Sequence, residues 1–196
     1  MRKIVSAVLA ATAAVAALLG LYAGAPATAA TSAGGTAVTL KVKGCDGCSI
    51  TPIWAPTLST GAYWAGRARV VRGGTVSFPM SRQHTHGLYF VVYDPRSVNT
   101  DAETLAVTRY AGARIGSPVN AATAAHTDRG QQCWAGTTDA SSTLRLTVDR
   151  FAARGVTGTR GYAIRPYFNP AVQPFGHADN LWKGTMGAQD VAFCKS

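Results

Sequence analysis

The sequence predicts an all-β protein, and three observations carry that prediction. Short stretches of alternating apolar and polar residues recur along the chain, with Gly, Pro, Asn and Asp between them. Four cysteines follow an apolar leader, as in exported proteins held together by disulfides. The chain after the leader is about as long as one ordinary domain. We therefore expect a single β-sandwich of immunoglobulin or transthyretin type, with two disulfides, over residues 37–196.

Residues 1–29 are typical of a signal peptide. A basic Arg-Lys pair is followed by an apolar run of Ala, Val and Leu, and then by an A-x-A cleavage site at residues 27–29. We expect cleavage before Ala30, which predicts a secreted, extracellular protein with no membrane segment after cleavage. Retention of the apolar run as a membrane anchor is the alternative. The next residues, 30–36, are small and polar, and are expected to form a flexible tail.

Each predicted strand has its own signal. Residues 38–43 alternate between apolar and polar side chains, as a half-buried strand does. Residues 88–92 are all apolar or aromatic, which indicates a central strand. The alternate apolar residues at 144–148 are expected to face inward. Pro52 has no N–H to donate, so its strand is expected at a sheet edge. Further strands are expected at residues 67–80, 104–110, 143–151 and 161–168, and a loop or short helix at residues 116–130.

The run Cys-Asp-Gly-Cys at residues 45–48 predicts a β-hairpin stapled by a disulfide. Asp-Gly is a preferred pair for the type I′ turn that joins two hairpin strands. Residues flanking such a turn lie about 5.5 Å apart between Cα atoms, within disulfide range. Four cysteines allow three pairings. The hairpin geometry favours Cys45–Cys48, which leaves Cys133–Cys194.

The chain is basic, but its charge is scattered. The net charge is +10, and removal of the leader leaves 17 basic and 9 acidic residues, a net charge of +8. Nucleic-acid-binding proteins usually cluster such charge on one face or helix, so no nucleic-acid partner is expected. A well-solvated surface is the first interpretation, and a weak attraction to an anionic cell wall is the second.

No motif indicates an enzyme, and no cofactor is expected. The chain has one glutamate and lacks the G-x-S-x-G, H-E-x-x-H, Walker and dinucleotide-binding patterns. Met80, His84 and His86 offer a thioether and two imidazoles, a ligand set suited to copper if this segment is extended. A secreted copper- or zinc-binding protein, or a small hydrolase, is therefore the alternative to a binding module.

Three regions are candidates for partner binding. The tail is small and polar, and could dock in a partner's groove or serve only as a spacer; its candidate residues are Ala30, Thr31, Ser32, Gly34 and Gly35. Residues 162–182 are rich in aromatic and turn-forming residues, which suits either a recognition loop or a hydrophobic cluster under a long loop. The candidate residues there are Tyr167, Phe168, Phe175 and Trp182. The edge of the predicted hairpin is a third candidate, for strand addition.

Four runs, in order, carry a resemblance: T-L-K-V-K-G-C-D-G-C at 39–48, R-V-V-R-G-G-T-V-S-F at 69–78, G-L-Y-F-V-V at 87–92 and C-W-A-G-T at 133–137. Their layout resembles a group of small secreted actinobacterial β-rich proteins. The chain is also similar to the small adaptor subunits of secreted streptomycete toxin particles. The second resemblance implies an adaptor that links a lectin-like targeting subunit to a toxin-bearing scaffold. We therefore expect a non-enzymatic module that binds other secreted proteins.

Overall fold

The computed structural model describes residues 34–55, 63–98, 101–110, 114, 117–125, 132–155, 158–169, 181–186 and 189–194. This part of the chain is predominantly β, as the sequence predicts, with one short α-helix. The predicted signal peptide lies outside it. No helix in the described part is long and apolar enough to span a membrane.

The elements are β1 (Gly35–Lys43), β2 (Ser49–Trp54), β3 (Trp64–Ala65), β4 (Arg69–Val70), β5 (Thr75–Ser81), the 3-10 helix η1 (Arg82–Thr85), β6 (Tyr89–Tyr93), β7 (Asp101–Leu105), β8 (Val107–Arg109), α1 (Ala121–Ala125), β9 (Gln132–Cys133), β10 (Ser141–Arg154), β11 (Arg160–Asn169), β12 (Leu181–Met186) and β13 (Gln189–Cys194).

Two larger sheets form the body of the protein. The first sheet has the order β11–β10–β1–β5, with β1 parallel to β10 and antiparallel to β5. The second sheet has the order β3–β2–β6–β7, and β4 also pairs with β2. β6 is an interior strand, as its apolar run predicts. Two further pairs, β8–β9 and β12–β13, complete the described strands.

The two sheets face each other across a shared core. The ring of Phe90 on β6 lies 5.8 Å from that of Phe78 on β5 and 5.4 Å from that of Phe168 on β11, between centroids. The predicted alternation in β10 is confirmed, since Leu144, Leu146 and Val148 are all buried. Burial of such large apolar side chains between two layers is the main source of folding free energy here.

The predicted hairpin at residues 45–48 is wrong, because β1 and β2 belong to different sheets. Ile53 of β2 lies opposite Ala65 and Tyr89 rather than opposite a residue of β1. The turn is tight, and Gly47 has a φ of +85°, but no described non-glycine residue has a positive φ. It is therefore not a type I′ turn, which needs two such residues. Asp-Gly indicates a reversal of the chain, but not which sheet receives the next strand.

The predicted Cys45–Cys48 disulfide is confirmed, with 5.5 Å between its Cα atoms. Both cysteines are buried, and the bond lies at the corner where the chain passes from the first sheet to the second. Cys133 is also buried, on β9. Its expected partner Cys194 ends β13, where side chains lie outside the described part of the structure. The Cys133–Cys194 bond therefore stays a prediction.

Pro52 does not lie at a free sheet edge. The outer side of β2 is covered by two short strands, β4 beside Ser49 and Ile50, and β3 beside Ile53 and Trp54. Pro52 lies in the gap between them, where its carbonyl oxygen accepts a hydrogen bond from the N–H of Gly66 at 2.9 Å. Neither β3 nor β4 pairs with residue 52, so the missing N–H of Pro52 leaves no hydrogen bond between these strands unmade.

The first strand begins earlier than predicted. β1 starts at Gly35, and the fully buried Thr36 pairs with Met80 of β5. Gly35 and Thr36 therefore belong to the folded body rather than to the predicted tail at residues 30–36. The tail residues 30–33 lie outside the described residues.

Candidate functional site

An aromatic corner, formed by Trp54, Trp64 and His84, lies at one end of the two sheets. Trp54 ends β2 and pairs with Trp64 of β3 in antiparallel register, so their side chains share one face. His84 belongs to η1, the turn that follows β5. All three residues are half-buried. The corner therefore brings rings from three separate elements to one partly exposed site.

The imidazole of His84 packs against both indoles. Its centroid lies 4.4 Å from that of Trp64, with an angle of 28° between the ring planes, and 4.9 Å from that of Trp54, at 36°. Nδ1 of His84 is buried and has no hydrogen-bond partner within the described residues. Burial lowers the pKa of His84. The ring is therefore neutral at pH 7, and the corner presents aromatic faces rather than charge.

Residues 133–137 pack against η1 and hold it in position. The hydroxyl of the buried Thr85 donates to the carbonyl of Arg82 at 2.6 Å and accepts from the N–H of Thr137 at 3.0 Å. Gly136 has a φ of +86°, and a Cβ there would lie only 2.5 Å from Oγ1 of Thr85. Only glycine combines this backbone conformation with so close an approach. η1 is therefore preorganised, and His84 with it.

The start of β1 lies beside the aromatic corner. The carbonyl of Gly34 accepts a hydrogen bond from the N–H of Arg82, the first residue of η1, at 3.2 Å. Gly35 lies opposite Ser81, which caps η1 by accepting from the N–H of His84. The point at which the tail joins the folded body is thus next to the corner.

The structure does not provide the geometry on which the predicted metal site depends. That prediction needs an extended segment between Met80 and His86. Residues 82–85 instead form a 3-10 turn, Met80 is buried on the core side of β5, and His84 is occupied by its stacking on two indoles. His86 is half-buried after η1. Metal binding by this set stays a prediction without its geometric basis.

A second cluster, the Asp94 network, surrounds a fully buried carboxylate. Arg96 donates to Asp94 Oδ1 through its backbone N–H and its Nε, both at 3.1 Å. Arg150 Nη2 and the hydroxyl of Tyr162 donate to Oδ2 at 3.2 and 3.0 Å. Burial by itself raises the pKa of Asp94, but the hydrogen bonds from Arg96 and Tyr162, and the charge of Arg96, outweigh it and hold the pKa below its usual value.

The Asp94 network touches the disulfide. Sγ of Cys45 lies 4.0 Å from Asp94 Oδ2, and ligand atoms of Cys45, Cys48 and Asp94 lie within 4.8 Å of one another. This grouping has the residue types of a metal site. With the two sulfurs bonded to each other, however, no thiolate is present to act as a ligand. The arrangement supports a structural role for this grouping at the turn between β1 and β2.

A basic cleft lies at the other end of β1, on the outer face of the first sheet. Its cations are Lys41, Lys43 and Arg145, all exposed. Lys41 lies directly opposite Arg145 in the parallel pairing of β1 with β10. The sequence predicts scattered cations. The structure brings these three together through the pairing of two strands about a hundred residues apart, which no local pattern indicates.

Of the residues predicted to bind a partner, the structure describes Gly34 and Gly35 at the start of β1 and Tyr167 and Phe168 in β11, and these four do not form one surface. Tyr167 and Phe168 are buried in β11, Phe168 in the shared core, so neither offers a surface. Aromatic density alone misled here, because those two positions lie within a strand. Gly34 is exposed beside η1, and Gly35 is in β1. Ala30, Thr31, Ser32 and Phe175 lie outside the described residues, as does the side chain of Trp182 in β12.

Sequence analysis missed the aromatic corner and the Asp94 network. Nothing local links Trp54 and Trp64 to His84, because their contact depends on the pairing of two short strands. For Asp94 a signal did exist. Asp-Pro-Arg follows a buried strand, and an aspartate at such a turn commonly accepts a hydrogen bond from the residue two positions on.

Comparison of the chain with protein-family models, with curated proteins and with solved structures found no match.

Proposed function

We propose that the chain is a secreted, non-enzymatic binding module, an adaptor that joins other secreted proteins in an extracellular assembly. In this proposal the two sheets form a β-sandwich of immunoglobulin or transthyretin type, and a Cys133–Cys194 bond closes it. The observation that carries the proposal is that the aromatic corner and the attachment point of the tail lie side by side.

The corner has the chemistry of a protein-binding hot spot. Trp is enriched among residues whose truncation most weakens protein complexes, because a large flat ring buries much area with little conformational entropy. Here the two indoles are half-exposed and already held by His84. A preorganised surface loses little freedom on binding, so more of the contact energy appears as affinity.

The tail would add a second contact to the same partner. Its residues have little side-chain bulk, which allows the backbone of a partner to approach closely. Ordering such a segment costs about 1–2 kcal/mol per residue, so main-chain hydrogen bonds to the partner have to offset that cost. Because Gly34 is fixed beside η1, a partner on the corner is within reach of the first tail residues.

An adaptor also needs a second surface, and the basic cleft provides one at a distance. β1 runs from Gly35 at the corner to Lys43 at the cleft. Eight residue steps of a strand span about 26 Å, so one ligand need not obstruct the other. This separation supports bridging rather than a single binding site.

Charge reversal at an exposed position of η1 tests the proposal without disturbing the core. Arg82 is exposed, and only its backbone is used in the contacts described above. We expect Arg82→Glu to reduce recovery of at least one partner from the native culture medium by about tenfold, equivalent to about 1.4 kcal/mol. Arg160→Glu is the matched control, since Arg160 is exposed at the far end of β11. Equal recovery with both variants would contradict the assignment of the corner.

A further inference from the structure

We propose that the basic cleft binds the phosphate groups of a polyol-phosphate polymer. In the proposed function the cleft is the second surface of the adaptor, and this inference names a phosphate polymer as the ligand there. Because the cleft uses no residue of the aromatic corner or of the tail, the inference can hold or fail independently of binding at the corner. Its basis is a concentration of positive charge that the fold itself creates.

The three cations of the cleft lie close together on the outer face of the first sheet. Lys41 and Arg145 lie directly opposite each other on adjacent strands, an arrangement in which like charges repel. Lys43 lies on the same face of β1, about 6.6 Å further along the strand. None of the three forms an ion pair with any residue in the described ranges. An anion held between them would remove the repulsion.

Three neutral hydrogen-bonding side chains also line the cleft, together with Val42, Leu146 and two glycines, and the cleft has a volume of about 410 Å³. Thr75 faces it from β5, and Thr147 and Asn169 face it from β10 and β11. Asn169 Nδ2 donates to Thr147 Oγ1 at 3.2 Å, which orients the amide. Its second N–H hydrogen can be donated to a ligand. Such groups suit the hydroxyls of a polyol between charged phosphates.

Two glycines form one side of the cleft and leave it open. Gly73 and Gly74 both have positive φ and carry no side chain that would fill the opening. The nearby carboxylate of Asp46 accepts a hydrogen bond from the N–H of Gly74 at 3.3 Å, and so lies at the rim. No carboxylate is among the described residues that line the cleft itself.

The lining distinguishes this ligand from a single-stranded nucleic acid. Proteins that bind single-stranded nucleic acid stack the bases on aromatic side chains. The described lining of the cleft contains no aromatic residue. A phosphate polymer without bases needs only cations and hydrogen-bonding groups, and both line the cleft.

Binding of the mature chain to poly(glycerol phosphate), measured by calorimetry over a range of salt concentrations, tests this inference. We expect the triple variant Lys41→Gln/Lys43→Gln/Arg145→Gln to weaken binding at least tenfold. We also expect a shallower slope of log K against log salt concentration, because fewer counterions are displaced. The matched control is Arg67→Gln/Arg154→Gln/Arg160→Gln, which removes the same charge from exposed positions outside the cleft. It should change the affinity by less than about threefold.

Several results would overturn the inference. One is an equal loss with the control variant, which would mean that net charge alone drives binding. A second is no binding of poly(glycerol phosphate). A third is equal or tighter binding of oligodeoxythymidine, polygalacturonate or inorganic phosphate, each of which would assign the cleft to another anion. Circular dichroism of both variants has to match the wild type for the comparison to stand.

Discussion

The side chain of Asp94 accepts hydrogen bonds across the interface between the two sheets. It follows β6 of the second sheet, and its partners Arg150 and Tyr162 lie on β10 and β11 of the first. Arg150 also lies over the ring of Tyr162, 4.9 Å from its centroid. A buried carboxylate is tolerated only when its oxygens are paired in this way. Asp94 therefore links the end of β6 to β10 and β11 through hydrogen bonds.

We expect Asp94→Asn to lower the free energy of unfolding by about 2 kcal/mol at pH 7, because charged hydrogen bonds are replaced by neutral ones. The lowered pKa of Asp94 means that its contribution is present above the unfolded pKa of about 3.9 and is lost as pH falls through the folded pKa. The difference between wild type and variant should therefore shrink in acid. Urea denaturation between pH 7 and pH 3 measures this.

Asp139→Asn is the control for that experiment, since Asp139 is exposed. Equal free energies of unfolding for wild type and Asp94→Asn at pH 7 would contradict the stabilising role of Asp94. A difference in that free energy that stays constant with pH would contradict it as well.

The two histidines near η1 give a second prediction at this scale. We expect His84→Ala/His86→Ala to leave the metal content of the purified protein unchanged, because His84 serves as an aromatic packing partner. Loss of the stacked ring should lower the free energy of unfolding by about 1 kcal/mol. Elemental analysis decides the matter: stoichiometric copper or zinc that disappears in the variant would favour the metal-binding alternative.

At the scale of elements, η1 depends on the backbone beneath it. Gly136 and Gly158 both have positive φ, but a Cβ at Gly136 would meet Thr85 and His86, whereas a Cβ at Gly158 would meet nothing within 4 Å. We expect Gly158→Ala to cost about 1 kcal/mol from backbone strain, and Gly136→Ala to cost at least about 2 kcal/mol from strain plus collision. Thermal melts of the two variants compare them. Equal melting temperatures would show that η1 is not held as described.

The cysteine pairing is also tested at this scale. Non-reducing peptide mapping should give a mature chain that starts near Ala30, a Cys45–Cys48 link and a Cys133–Cys194 link. The second bond closes a long loop, so its removal should lower the free energy of unfolding by about 4 kcal/mol, because the unfolded chain gains entropy. A peptide that joins Cys45 to Cys133 or to Cys194 would contradict the pairing.

For the molecule as a whole, local patterns predicted strands better than they predicted sheets. The alternation in β1 and β10 was visible in the sequence, since it reflects which side of one strand is buried. The parallel pairing of β1 with β10 was not, because register between distant strands is set by the whole core. The same limit explains the mistaken hairpin at residues 45–48. It also explains why the aromatic corner and the basic cleft, each assembled from separate strands, were missed.

In the proposed function, partner binding lies at the end of the molecule that carries the aromatic corner, and it includes the tail. Deletion of residues 30–33 removes nothing from β1, which starts at Gly35 and buries Thr36 against β5. The thermal melt of the truncated protein should therefore equal that of the full mature chain.

Purification of the tagged, truncated protein from its native culture medium, with quantitative identification of the proteins that accompany it, tests the claim most directly. We expect that at least one partner recovered with the chain that begins at Ala30 is lost on deletion of residues 30–33, while the melting temperature is unchanged. Recovery of every partner at the yield of the full mature chain would contradict it.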